Sequence, residues 1–189
     1  MAANRDVNRF YDVDLLGEVA TNLVHGWGYN FYRAENQLRA DDQLIRSKVG
    51  QLLGFAQADV TAAETAYRRA HIPAPTRAAP FPDPVIMAKA QGLEAIGRDI
   101  GALIGRVQAQ PVPANDRMTE RYRDEAETLD FLRDHDRLLV GQAALLRSLV
   151  EGLDGTTLLA QATEIAEGLA ALRRTLEERA AGLMAATRR

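Results

Sequence analysis

Apolar residues recur along most of this chain at alternating spacings of three and four positions. The pattern is most regular near the carboxyl end, where Arg179 fills the one polar position of the stripe. This spacing places the apolar side chains on one face of an α-helix, which must pack against another surface. It predicts a helix over residues 156–187, in which Leu169, Leu172 and Leu176 are candidate interface residues. The whole stripe is Leu158, Ala162, Ile165, Leu169, Leu172, Leu176 and Leu183.

The preceding segment, predicted as a helix over residues 116–152, repeats this pattern. Asp136 interrupts it at a core-facing position between Leu132 and Leu139. Either Asp136 pairs with an arginine of a facing helix, or the apolar face rotates here; we favour the rotation as the simpler interpretation. A short turn joins the two helices, in which Gly155 is expected to end the first and a threonine to cap the second. The two helices should form an antiparallel hairpin.

A third helix is predicted over residues 84–110, with an apolar stripe that runs from Ile86 to Val107. Beside that stripe Gly97, Gly101 and Gly105 recur every four residues. Each glycine inside a helix costs about 1 kcal/mol relative to alanine, so three in register indicate a face that another backbone approaches closely. The approaching partner is either a neighbouring helix or a second subunit, and the three glycines are candidate interface residues.

The first block of the chain keeps a seven-residue apolar period from Phe10 to Leu52, yet it is long for one helix. As a single helix over residues 10–71 it would extend about 93 Å, against about 40 to 55 Å for the later helices. A break is expected either at Gly26-Trp27-Gly28 or at Arg39–Asp42. We favour the second position, where Asp41 or Asp42 can cap the next helix, because it gives helices over 10–39 and 42–71 that match the others in length.

Prolines provide the only strong breaks in the sequence. Five of them lie in or beside the segment 73–83, and two more follow at Pro111 and Pro113. We interpret 73–83 as a stiff crossover between helices, in preference to a docking segment that binds through Phe81. Since no stretch alternates apolar and polar residues as a strand would, the expected fold is a single all-α domain. It is an antiparallel bundle of four to five long amphipathic helices with a Pro-rich crossover.

The composition of the chain excludes several classes of function. The formal net charge of −3 gives no general attraction to nucleic acid, and the absence of cysteine removes disulfides and thiolate metal sites. Charged residues in the first 14 positions leave no apolar signal segment, and no apolar run reaches the roughly 20 residues of a membrane span. We therefore expect a cytoplasmic protein. The Arg-rich, Lys-poor composition suggests a GC-rich, bacterial source.

One stretch concentrates the side chains that could line a binding site. It runs from His25 to Glu35 and contains Trp27, Tyr29 and Tyr32, which could enclose a small molecule or, with a carboxylate, a metal. A bulky aromatic core layer is the commoner use of such residues, and we favour it. The three histidines are scattered and lack the Glu-x-x-His spacing of helical di-iron proteins, so no metal or other cofactor is expected.

These observations favour a non-enzymatic bundle protein that binds other protein surfaces, most simply as a homo-oligomer. The sequence contains no pattern of nucleophile, acid and base, and no phosphate-binding glycine motif. The alternative is a bundle with a carrier or enzymatic function that encloses a small molecule or metal near His25–Glu35.

Overall fold

The computed structural model of the protein describes residues 8–27, 38–77, 80–111 and 122–187. Across these residues the chain forms a short 3-10 helix and six α-helices, and no strand occurs among them. The 3-10 helix is Arg9–Tyr11. The α-helices are α1 Val13–Gly26, α2 Leu38–His71, α3 Pro84–Gln108, α4 Tyr122–Val150, α5 Gly155–Ala160 and α6 Ala162–Thr187. The predicted all-α bundle is confirmed.

Two hairpins make up the bundle. Arg46, near the start of α2, hydrogen-bonds the carbonyls of Gln108 and Gln110 at the end of α3, so these two helices are antiparallel. In the second hairpin Asp136 of α4 pairs with Arg179 near the end of α6, as the predicted antiparallel arrangement requires. The hairpins pack side by side, α2 on α4 and α3 on α6, which leaves α2 and α6 on one diagonal of the bundle.

The apolar stripes supply the core. Leu139 and Leu146 of α4 and Leu172 and Leu176 of α6 are all buried and belong to the same core. Together with the stripes of α2 and α3 they form one contiguous cluster that extends along the bundle. Burying each leucine stabilises the fold by about 1.5–3 kcal/mol relative to leaving it in water. None of the helices among the described residues is both long and apolar enough to cross a membrane.

The expected break at Arg39–Asp42 is wrong. Helix α2 begins at Leu38 and continues through these residues without interruption. The earlier helix, α1, ends at Gly26, at the alternative position for the break, the Gly26-Trp27-Gly28 stretch. Asp42 does not cap a helix, because its carboxylate is buried in ion pairs with two arginines.

The turn between α4 and α5 also differs from the prediction. Gly152, with a φ of +70°, follows the end of α4, so it is Gly152 and not Gly155 that takes the left-handed conformation. Asp154, not a threonine, caps α5 and accepts hydrogen bonds from the backbone amides of Thr156 and Thr157. The predicted helix 156–187 is divided into α5 and α6 at Gln161. The predicted start of α4 at residue 116 lies outside the described residues.

Helix α1 is a fifth helix that packs against α4, outside the two hairpins. Leu16 of α1 is fully buried there, and its backbone approaches Gly141 so closely that a methyl group on the glycine would lie 2.5 Å from the Leu16 carbonyl oxygen. Just before α1, Phe10 enters the core, and its ring packs on Gly168 of α6. Glycine is therefore required at positions 141 and 168 for close helix contact.

Candidate functional site

The aromatic stretch at 25–35 is described only at its beginning. His25 is exposed in the last turn of α1, and Trp27 is half-buried with the Lys48 ammonium 5.0 Å from the centre of its ring. This contact is a cation–π interaction, typically worth about 0.5–1 kcal/mol at an exposed site. Tyr29, Tyr32 and Glu35 lie outside the described residues. Across the part of the chain that is described, no group of three or more His, Asp or Glu side chains could hold a metal ion.

The glycine face of α3 lies against α2 of the same chain. A methyl group on Gly97 would contact Val60 and Thr61 of α2 at 3.7 and 3.8 Å, which is an ordinary packing distance. The Gln57 amide of α2 fills the space above Gly101 and donates a hydrogen bond to the Gly97 carbonyl.

The other candidate interface residues are one exposed glycine and three buried leucines. Gly105 is exposed and has no atom within 4 Å of where its methyl group would be. Leu169, Leu172 and Leu176 of α6 lie in the core of the single chain, with exposed fractions of 3%, 0% and 2%.

The outward side of α2 carries mostly small side chains. Small side chains recur there every four residues, and the open groove that they form has a volume of about 630 Å³. We call this the small-residue face of α2; it consists of Gly54, Ala58, Thr61, Ala62, Thr65 and Ala66. Gln57 and Arg69 complete the lining of the groove.

Charge is absent from the exposed positions of this stretch. From Gln51 to Ala66 every exposed residue of α2 is Gln, Phe, Ala or Thr, although 26% of the chain is charged. The outward side of a helix in contact with water usually carries charged and long polar residues. Phe55, at one end of the face, is 46% exposed, and the Arg147 guanidinium lies 4.9 Å from its ring centre. This surface therefore has the composition of a helix-packing face without a helix packed on it.

A second unusual feature lies inside the bundle, where Arg179 of α6 is buried between two aspartates. Its guanidinium donates to Asp136 of α4 at 2.8 Å and, across the diagonal of the bundle, to Asp42 of α2 at 2.5 Å. All three side chains are 1% exposed. Asp136 thus pairs with an arginine of a facing helix, and our preferred interpretation, a simple rotation of the apolar face, is wrong.

The cluster extends to the end of α3. Arg46 pairs with Asp42 at 2.5 Å, and its other terminal nitrogen donates to the two carbonyls at the end of α3. The cluster of Asp42, Arg46, Asp136 and Arg179, which we call the Arg179 network, therefore joins α2, α3, α4 and α6. Burial by itself lowers the pKa of Arg179, but the charges and hydrogen bonds of Asp136 and Asp42 outweigh it and raise the pKa above its usual value. The formal charges of the four groups sum to zero.

Sequence reasoning missed both features for identifiable reasons. Asp42 and Arg179 were visible, but nothing in one sequence shows that residues 137 positions apart share the core. The small residues of α2 recur every four positions, as the glycines of α3 do, and that signal could have been read. Comparisons of the chain with protein-family models, with curated proteins and with solved structures found no match. The inference of function therefore rests on these two features.

Proposed function

We propose that this protein acts without catalysing a reaction, by binding a protein surface through the small-residue face of α2. The observation that carries the proposal is the absence of charge from the exposed positions of α2 between Gln51 and Ala66. Small side chains let a second helix approach to the short end of the usual 8–10 Å range of interaxial distances. A contiguous exposed patch of small, uncharged side chains of this kind is typical of a surface that contacts another protein.

The partner that fits this face best is a second copy of the chain. Phe55 and Arg69 lie at opposite ends of the face, each seven positions from Ala62. When two copies of α2 pack antiparallel about Ala62, Phe55 of each copy meets Arg69 of the other. The contact is a cation–π pair, made twice by the two-fold symmetry of a homodimer. The Phe55 ring is in contact with Arg147 of its own chain and is still 46% exposed, which leaves part of its surface for a partner.

The test is the mass of the purified protein in solution, measured by native mass spectrometry and by light scattering on a gel-filtration column. The wild type is expected to be a dimer that dissociates on dilution. Ala62→Arg should give a monomer, because the two introduced charges would meet at the symmetry axis. Ala170→Arg, on the exposed side of α6, is the matched control and should leave the dimer intact.

Two results would contradict the proposal. A wild type that stays monomeric at the highest attainable concentration would exclude the second copy as partner. A dimer that survives Ala62→Arg would show that a different surface joins the subunits. The circular-dichroism spectrum of each variant establishes that it remains folded.

A further inference from the structure

The Arg179 network divides the interior of the bundle into two parts. On one side, one turn away along α4 and α6, Leu139 and Leu176 belong to the contiguous hydrophobic core. On the other side, Leu132 and Leu183 are also buried, at 0% and 6% exposure, but they lie outside that core. Among the described residues the Arg179 network therefore lies between these two leucines and the contiguous core.

This separation weakens the coupling between the two layers. Contacts between apolar side chains transmit stability along a bundle, because removing one exposes its neighbours to water. A charged layer interrupts these contacts and replaces them with pairings that cost desolvation energy when formed. Segments joined to a main core by few apolar contacts open locally, at a lower free energy than global unfolding.

We propose that the end of the bundle beyond the Arg179 network opens as one unit while the main core stays folded. The unit comprises the first turns of α2, the part of α4 before Asp136 and the last turns of α6. The ion pairs of Arg179 with Asp42 and Asp136 hold it closed. Opening uncovers Leu132 and Leu183, which makes this end of the bundle a conformational device built into the fold.

The geometry also identifies the contact on which closure depends. One carboxylate oxygen of Asp42 accepts a hydrogen bond from Arg179, and the other accepts one from Arg46. Arg46 in turn donates to the carbonyls at the end of α3. Asp42 therefore links α2 both to α6 across the diagonal and to α3 beside it. Arg179 retains one buried nitrogen, Nη1, without a hydrogen-bond partner, so its burial is not fully compensated even in the closed form.

Native-state hydrogen exchange followed by mass spectrometry tests the proposal on the unmodified protein. Amides of α2 before Arg46, of α4 before Asp136 and of α6 after Arg179 should exchange together and faster than those of the main core. Because every helix frays at its termini, the opposite end of the bundle is the reference. There Tyr67, Val150 and Leu158 belong to the contiguous core, and slower exchange is expected. Equal exchange at both ends would overturn the proposal.

Two variants then test the role of the network itself. Asp42→Asn should accelerate exchange of this end by about tenfold or more, because it removes a partner of a buried charge, and leave the main core unchanged. Glu178→Gln, which removes an exposed partner of Arg174, is the control and should change neither. The proposal would be overturned if Asp42→Asn accelerated amide exchange at this end and in the main core by the same factor, or at neither.

The triple variant Asp42→Leu, Asp136→Leu, Arg179→Met removes the charged layer altogether. It should join the two apolar layers and slow exchange at this end to the rate of the main core. If this variant folds and its end still exchanges faster than the core, the network is not the cause of the separation. Should the variant fail to fold, the wild-type comparison of the two ends decides. None of these results depends on whether the chain forms a dimer.

Discussion

Substitution of Gly141 by alanine should push α1 away from α4. The new methyl group would lie 2.5 Å from the carbonyl oxygen of Leu16 and 2.9 Å from its Cα, and both atoms belong to the backbone of a packed helix. Neither can rotate aside as the end of a side chain would, so α1 must shift. Inserting atoms into a well-packed site costs about 1–3 kcal/mol, and a backbone obstacle favours the upper part of that range.

Gly50→Ala is the matched control, because that glycine is also in the interior of a helix, α2, but has no atom within 4 Å of the added methyl group. Both substitutions gain about 1 kcal/mol of helix propensity, so the difference between them isolates the steric cost. Urea unfolding should show Gly50→Ala to be more stable than the wild type and Gly141→Ala to be less stable than Gly50→Ala by about 1–3 kcal/mol. Equal changes in the free energy of unfolding would refute the close approach of α1 and α4.

Two further measurements test the core and the cap. Leu172→Ala, at a fully buried position of α6, should lower the free energy of unfolding by about 2–5 kcal/mol in urea titrations, and a smaller loss would contradict its place in the core. Hydrogen bonds from the Thr157 and Thr156 amides lower the pKa of Asp154 below the 3.8 of an unperturbed aspartate. Because the pKa of Asp154 is lower in the folded than in the unfolded protein, its ionised form stabilises the fold. This contribution is complete above pH 3.8 and is lost as the pH falls through the folded-state pKa. Asp154→Asn should therefore reduce the slope of melting temperature against pH in this acidic range, and an unchanged slope would exclude the cap.

The regular stripes made most of the fold predictable. Leu169, Leu172 and Leu176 repeat with the helical period and are buried as that period requires. The antiparallel pairing of α4 and α6 followed from the order of their stripes along the chain, although α5 occupies the connection that was predicted as a short turn. These are local signals, since periodicity and connection length are both read within a few tens of residues.

The features proposed to carry function depend on information that is not local. Asp42 near the beginning of a helix resembles a capping residue, and only the packing of α2 across from α6 turns it into the partner of Arg179. Likewise, Ala62 is compatible with a buried or an exposed position, and its exposure follows from where α3 and α4 lie on α2. The close approach of the Leu16 backbone to Gly141 depends on where α1 packs, and no residue spacing within α4 predicts that position.

The buried guanidinium also determines which alignments of the four long helices are possible. If α6 slid along α4 by one turn, Arg179 would leave Asp136 and face leucine, and a buried charge without a partner costs several kcal/mol. Apolar stripes alone tolerate such sliding, because a leucine that moves by one turn meets another leucine. Three ionised side chains at one level of the bundle thus exclude helix alignments shifted by one turn, which the apolar side chains alone would allow.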